Sequence, residues 1–267
     1  MTFLKRLLGK NNTNTNANMG DEFYDQARDI YERGAQRINT AGELDEGLNL
    51  AHKAREEYRS ANPKGSLEEA HTLSLEASIH RLLSNYEKAI DCHDKALIIV
   101  DKIEPHSILK AQFLNNQAEL YRAKYNRGEI GSIQEMLDKG KSGYEGTVLI
   151  EALKYALDAV EEYKTRHPTN SGVISSLHTL GLVCRDFGDF DTAGSLLQMS
   201  TALSNIIRDP EMAELSLSCY KDVQDIKTQL KEYNLIRHRA FEHIDETQKK
   251  EVEELLTKAR IVSEFKK

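Results

Sequence analysis

A helical pattern recurs along this chain and restricts the folds that the sequence can adopt. A small residue stands in the middle of a predicted first helix in each of four segments, and these residues are Ala35, Ala77, Ala118 and Gly181. The first three lie 42 and 41 residues apart, and the fourth follows after 63 residues. Self-similarity at a fixed period is the signature of repeat proteins. The pattern therefore predicts four repeats, with an insertion in the third.

A second series of small residues confirms the period within the sequence itself. Gly47, Ala89, Ala152 and Ala193 stand in the predicted second helices, at intervals of 42, 63 and 41 residues. Small residues at a crossing point let two helices approach closely, while larger neighbours fill the groove. Each repeat is therefore expected to be a pair of antiparallel helices joined by a turn, as at Phe187-Gly188-Asp189.

The same pattern divides the chain into three parts. Residues 1–20 form a basic, Asn/Thr-rich tail, residues 21–210 hold the four repeats, and residues 211–267 are a charge-dense helical segment. The insertion in the third repeat is placed at about 128–147, where five glycines indicate a loop. Such a loop is either a recognition element or a tolerated surface excursion.

Two segments carry a resemblance to a known family. The stretches LNNQAELYRAKY (114–125) and LHTLGLVCRDFGDFDTAGSLL (177–197) resemble the tetratricopeptide repeat. The period exceeds the common one of about 34 residues and is similar to the longer repeats of kinesin light chains and their bacterial relatives. The resemblance covers about residues 22–208. It implies an all-α fold, a right-handed superhelix of stacked antiparallel hairpins whose first helices line a concave groove.

The resemblance also implies which side chains line that groove. Four residues after the small residue of each first helix stand Asn39, Arg81, Arg122 and Arg185. Arginine presents a planar fork of donors that matches carboxylates, and an asparagine such as Asn115 can both donate to and accept from a peptide main chain. The predicted partner-binding residues are Asn39, Arg81, Asn115, Glu119, Arg122, His178 and Arg185.

We therefore expect the groove to bind an acidic or carboxylate-terminated segment of a partner protein. An alternative stays open at this point: the arginines pair with Asp and Glu side chains of neighbouring repeats, as charges on repeat surfaces commonly do.

The two ends of the chain carry further patterns. Phe3, Leu4, Leu7 and Leu8 share one side of a short predicted helix with Lys and Arg nearby, which is typical of a weak membrane-surface contact. A disordered tail or a targeting peptide explains the same residues. Near the other end, an apolar stripe predicts either C-terminal capping helices or a homodimer seam. The stripe consists of Phe241, Ile244, Val252, Leu255, Ala259 and Val262.

Composition excludes several classes of protein. The net charge of -7 and the pI near 5.8 argue against a nucleic-acid binder. No apolar stretch approaches the ~20 residues of a membrane-spanning helix. Cys92, Cys184 and Cys219 are too scattered for a disulfide framework, so we expect reduced thiols in a cytoplasmic protein.

The sequence contains no catalytic motif with the required spacing. The neighbours Cys92 and His93 are a weak metal or thiol pair, and His238 and His243 are five residues apart, whereas two ligands on one helix face stand four apart. We therefore expect no cofactor, no metal and no enzymatic activity. The expected function is that of an adaptor that binds a partner peptide or helix. The alternative is a regulator that changes conformation when it senses a peptide.

Overall fold

The computed structural model describes residues 15–36, 40–126, 144–167, 170–228, 241 and 244–264. Within these ranges all regular secondary structure is helical, which confirms the predicted all-α class. The helices are α1 (Thr15–Ala35), α2 (Ala41–Ala61), α3 (Leu67–Leu82), α4 (Tyr86–Ile103), α5 (Ile108–Asn126), α6 (Tyr144–Arg166), α7 (Gly172–Asp186), α8 (Phe190–Ile207), α9 (Pro210–Thr228) and α10 (Glu246–Glu264). The chain divides into two compact units, with the boundary between Phe113 and Leu114, inside α5.

In the first unit, α1 packs against α2, α2 against α3, and α3 against α4. Gly47 of α2 marks a close helix crossing, because a Cβ atom at this position would lie 3.0 Å from Ile30 Cγ2 and 3.4 Å from Ile79 Cδ1. Ala77 of α3 and Ala89 of α4 are fully buried. Three of the predicted small residues of this unit are therefore packed inside it.

The fourth small residue of this unit is shifted by one position. Ala35 is exposed, because α1 ends there. The close approach is made by Gly34, where a Cβ atom would lie 2.8 Å from Leu44 Cδ2 and 3.1 Å from Leu82 Cδ1. The expectation that Ala35 lies at a helix crossing was therefore wrong.

A capping box begins α2. The Thr40 hydroxyl accepts a hydrogen bond from the Glu43 backbone N–H at 3.4 Å, and Glu43 Oε2 accepts one from the Thr40 backbone N–H at 2.8 Å. These bonds satisfy two donors that the first turn of a helix leaves unpaired. They also lower the pKa of Glu43 from its ordinary value.

We expect Thr40→Ala to lower the free energy of unfolding by about 1 kcal/mol, the usual cost of removing a threonine N-cap. Urea denaturation followed by circular dichroism measures this change. Thr40→Ser keeps a hydroxyl acceptor at the cap and is the matched control, which should stay within a few tenths of a kcal/mol of the wild type. Equal losses in the two variants would contradict the role of the hydroxyl.

In the second unit, α6, α7, α8 and α9 also pack consecutively, and α10 packs against α6, α7 and α8. Ala118, Ala152 and Ala193 are fully buried. A Cβ atom at Gly181 would lie 3.0 Å from Leu197 Cγ and 3.4 Å from the Ala193 carbonyl oxygen. All the predicted small residues of this unit therefore lie at buried, close-packed positions.

The same turn ends a helix at three places. The backbone N–H groups of Asn85, Asp189 and Asp209 donate to the carbonyl oxygens five residues earlier, at 2.8, 2.9 and 2.9 Å. The residue before each of them has a positive φ, and these residues are Ser84 (59°), Gly188 (79°) and Arg208 (62°). This is the Schellman arrangement, which satisfies carbonyl groups at a helix C-terminus and reverses the chain.

The predicted insertion at 128–147 is partly helical. Helix α6 begins at Tyr144, so the last residues of the predicted loop belong to it. Residues 127–143 lie outside the described residues.

The C-terminal stripe faces the interior of the second unit. Val252, Leu256 and Ala259 of α10 are buried, whereas the predicted Leu255 and Val262 are only half-buried. Phe241 packs edge-on against Phe187, with ring centroids 6.2 Å apart, and Ile244 is buried. The apolar face of α10 is therefore covered by helices of its own chain.

Phe3, Leu4, Leu7 and Leu8, for which we expected a membrane contact, lie outside the described residues. In the part of the chain that the structure describes, none of the helices combines the length and the apolar character that crossing a bilayer requires.

Candidate functional site

Five of the seven predicted partner-binding residues lie in the second unit, on α5 and α7. Glu119 Oε1 accepts hydrogen bonds from Asn115 Nδ2 on its own helix and from the Thr179 hydroxyl on α7, both at 3.4 Å. Glu119 is exposed, whereas Asn115 is buried, and no side chain or backbone group of the described residues donates to its Oδ1. These hydrogen bonds connect the faces of α5 and α7 that were predicted to line the partner-binding groove.

The arginines of these two helices meet at a buried carboxylate, Asp186. Asp186 Oδ2 accepts from Arg122 Nε at 2.7 Å and from Asn126 Nδ2 at 3.1 Å. Asp186 Oδ1 accepts from Arg185 Nε at 3.1 Å and from Arg185 Nη2 at 2.9 Å. Both arginines therefore have a carboxylate partner within the second unit, the kind of pairing that the sequence left open.

The electrostatics of this cluster keep Asp186 ionised. Burial alone raises the pKa of a carboxyl group, but the Arg122 and Arg185 guanidinium groups and the hydrogen bonds from Arg185 and Asn126 hold the pKa of Asp186 below its ordinary value. Asp186 is not among the residues that the repeat pattern predicts. The sequence signal that could have identified Asp186 is its position directly after Arg185.

His178 lies beside the same cluster. Its Nδ1 is 2.9 Å from the Ser216 hydroxyl, which in turn lies 3.0 Å from the Ser200 hydroxyl. Burial, together with the positive charges of Arg122 and Arg185, lowers the pKa of His178 to about 4. The imidazole is therefore neutral near pH 7, and it acts as a hydrogen-bonding group.

The other two predicted residues belong elsewhere. Arg81 is half-buried near the end of α3 in the first unit. Asn39 lies outside the described residues. A column of arginines that crosses the repeats thus stays a prediction.

The first unit contains a polar cleft that the sequence analysis did not identify. Helices α2, α3 and α4 line an open cleft with a volume of about 560 Å³. The side chains that line it are Asp45, Leu48, Asn49, His52, Arg55, Glu76, His80, Lys88, Asp91, Cys92 and Lys95. This volume lies within the range of about 300–1,000 Å³ that is usual for ligand sites.

A buried carboxylate, Glu76, lines the cleft. Its side chain is 1% exposed, and its Oε2 accepts from Arg55 Nη1 at 3.0 Å and from Cys92 Sγ at 3.7 Å. Burial raises the pKa of Glu76, although Arg55 and His52 act in the opposite direction. A glutamate in a helix is usually exposed to solvent, so the burial of Glu76 could not be predicted from the sequence.

The cysteine of the cleft is not activated. Burial, and then the charge of Glu76, raises the pKa of Cys92 to about 12, so the thiol stays protonated and is a poor nucleophile. The neighbouring His93 is buried, with Nε2 3.2 Å from the Ser74 hydroxyl and its ring against Phe113. In the described ranges, no three His, Cys, Asp or Glu side chains form a group that could hold a metal ion.

The polar features of the two units are thus hydrogen-bonding and ion-pairing arrangements built on packed helices. The chain matches no protein-family model and no curated protein sequence.

Proposed function

We propose that this protein is a non-enzymatic adaptor, a stack of tetratricopeptide-like helical hairpins that binds a peptide or helix of a partner protein. The single observation that carries the proposal is the burial of small residues at the repeated positions of the second helices. Gly47, Ala89, Ala152 and Ala193 recur at 42, 63 and 41 residues and are all buried. Stacked helical hairpins with such crossings form extended surfaces that suit polypeptide ligands.

The partner chemistry follows from the basic residues of the first helices. Arg81 in α3, Arg122 in α5 and Arg185 in α7 occupy the same position in their repeats. We propose that a carboxylate-bearing segment of the partner contacts this position. Arg122 and Arg185 also stabilise Asp186, so replacing them would change stability and binding together. Arg81 is the better probe, because its replacement leaves the Asp186 cluster intact.

Peptides selected from a random displayed library on the full chain test this proposal. The dissociation constant of each selected peptide is measured by fluorescence anisotropy. We expect Arg81→Ala to weaken acidic peptides about tenfold, the effect of losing one charge-assisted hydrogen bond. Replacing the peptide's Asp and Glu by Asn and Gln should give a similar loss.

Arg33→Ala is the matched control, because Arg33 is an exposed arginine near the end of α1 in the same unit. It should leave the affinity within about twofold, as expected for a charge outside the contact. If the selected peptides bind the Arg81→Ala and wild-type chains equally, the predicted groove is wrong. If selection yields no peptide that binds, the adaptor function is wrong.

A further inference from the structure

Two histidines of the first unit pack against one aromatic ring near the start of α5. His71 of α3 meets the Phe113 ring edge-on, with ring centroids 5.8 Å apart, and His93 of α4 meets the same ring at 5.2 Å. Phe113 is 3% exposed and His93 is 1% exposed. The three rings therefore connect α3, α4 and α5 in a single cluster.

The cluster attaches α5 to the first unit at the end of that unit. Phe113 is the last residue of the unit, and among residues 108–113 only Ala111 and Phe113 are buried. Lys110 of α5 pairs with Asp101 of α4 at 2.6 Å, but the Asp101 side chain is 61% exposed, and such a pair contributes little to stability. Phe113 is therefore the largest buried side chain that holds α5 within this unit.

The surroundings of both imidazoles disfavour a positive charge. The polar group beside His93 is the Ser74 hydroxyl, 3.2 Å from Nε2, and a hydroxyl cannot neutralise an imidazolium. Burial lowers the pKa of His93 to about 3. Burial also lowers the pKa of His71 to about 4, against a smaller and opposite effect of Glu68. Both rings are therefore neutral near pH 7.

The other charged groups on the neighbouring helices are engaged with each other. Glu69 of α3 accepts a hydrogen bond from Arg59 of α2 at 2.9 Å, and Asp101 of α4 pairs with Lys110 of α5. Within the described part of the chain, neither His71 nor His93 forms an ion pair. The charges around the cluster thus do not offset the desolvation of an imidazolium.

Protonation of these histidines is coupled to their separation from Phe113. An imidazole that leaves the cluster and enters water regains an ordinary pKa of about 6.5. As the pH falls below this value, the open arrangement binds protons more readily than the closed one, so acid favours opening. The gain continues until the pH reaches the pKa values of the closed arrangement, about 4 for His71 and about 3 for His93.

We propose that His71, His93 and Phe113 form an acid-sensitive latch, which holds the start of α5 against α3 and α4 at neutral pH and releases it as the pH falls. The latch is a conformational device within the first unit. It goes beyond the proposed adaptor function and does not depend on it, because no partner is needed for the latch to open.

The test is hydrogen exchange of the backbone amides in the isotope-labelled full chain, measured by NMR at pH 7 and pH 5 and corrected for the intrinsic exchange rates. The compared quantity is the equilibrium constant for opening at the Phe113 amide. Each histidine that becomes solvated should raise this constant about 20-fold over the interval, given an ordinary pKa of about 6.5. With both histidines released, we expect a rise of about 400-fold at Phe113.

Variants then identify the groups that titrate. Glutamine is polar but takes up no proton in this range, so the double variant His71→Gln with His93→Gln should show opening constants at Phe113 that agree within about twofold at the two pH values. Each single variant should lose about 20-fold of the wild-type rise. His52→Gln makes the same change at an exposed position on α2 of the same unit, and it should keep the full rise.

The second unit distinguishes a local release from unfolding of the whole chain. His178 is buried there and also has a pKa lowered to about 4, so general unfolding in acid would expose it as well. An equal rise in the opening constants of the α7 amides would therefore overturn the latch. So would an opening constant at Phe113 that is the same at both pH values, or a double variant that keeps the wild-type rise. The comparison of the two units uses the unaltered chain, so it decides the proposal even if the double variant fails to fold.

Discussion

Arg185→Ala is expected to lower the free energy of unfolding by about 3–5 kcal/mol, the usual result of removing one partner from a buried ion pair. The Arg185 side chain is 8% exposed, and that of Asp186 is 0% exposed. Arg185 supplies both donors to Asp186 Oδ1. Without them, a buried carboxylate oxygen loses its hydrogen bonds, and only Arg122 is left to balance the charge.

The matched control for this prediction is Lys154→Ala. Lys154 forms ion pairs with Glu151 and Glu251, both at 2.9 Å, but all three side chains are at least one-third exposed. Exposed pairs contribute about 0–1 kcal/mol. Urea denaturation of both variants gives the comparison. If Arg185→Ala loses no more stability than Lys154→Ala, the buried pair does not stabilise this fold.

The same carboxylate predicts a pH dependence. The pKa of Asp186 is lower in the folded chain than its unfolded value, which is about 3.9. Its stabilising contribution is therefore complete above the unfolded pKa and is lost as the pH falls through the folded pKa. Denaturation curves between neutral and acid pH should show this loss in the wild type. Asp186→Asn has no carboxyl group to protonate at this position, so its free energy of unfolding should fall less steeply between neutral and acid pH than that of the wild type.

Ala193→Leu is expected to lower the free energy of unfolding by about 1–3 kcal/mol, the usual cost of adding methylene groups to a packed core. Ala193 is fully buried on α8, and its carbonyl oxygen lies 3.4 Å from where a Gly181 Cβ atom would stand. Helices α7 and α8 are thus already at their closest approach. A leucine side chain has to displace one helix or adopt a strained rotamer.

Ala202→Leu is the control for this substitution, because Ala202 is exposed on the same helix. The same change there should stay within about 0.5 kcal/mol of the wild type. Urea denaturation compares the two variants directly. Equal effects at the two positions would mean that α7 and α8 do not depend on a small residue at their crossing.

Much of the fold could be predicted from the sequence, because small residues and turns act locally. The period located the buried residues at Ala77, Ala118 and Gly181, and it located the turn at Gly188, whose φ is 79°. It was wrong at Ala35, where the neighbouring Gly34 makes the contact. Gly34 and Ala35 are adjacent small residues at a helix end, and both fit the repeat pattern. Only the packing of Leu44 and Leu82 shows that Gly34 makes the contact.

Less of the site could be predicted, because the partner of a charged side chain depends on tertiary contacts. The repeat register selected Arg122 and Arg185 but not Asp186, which lies 64 residues from Arg122 in the chain. Glu76 belongs to a helix whose sequence has no single polar face, and its burial depends on α2 and α4. A repeat pattern contains no information about such cross-helix pairs.

We propose that one helical hairpin recurs along the chain, with a buried small residue in the second helix of each copy. The most direct test measures the free energy of unfolding of four variants, in which leucine replaces Gly47, Ala89, Ala152 or Ala193. We expect each variant to lose about 1–3 kcal/mol, because every one of these positions is buried. A variant that stays within about 0.5 kcal/mol of the wild type, as substitutions at exposed sites do, would show that its hairpin is not packed as a repeat.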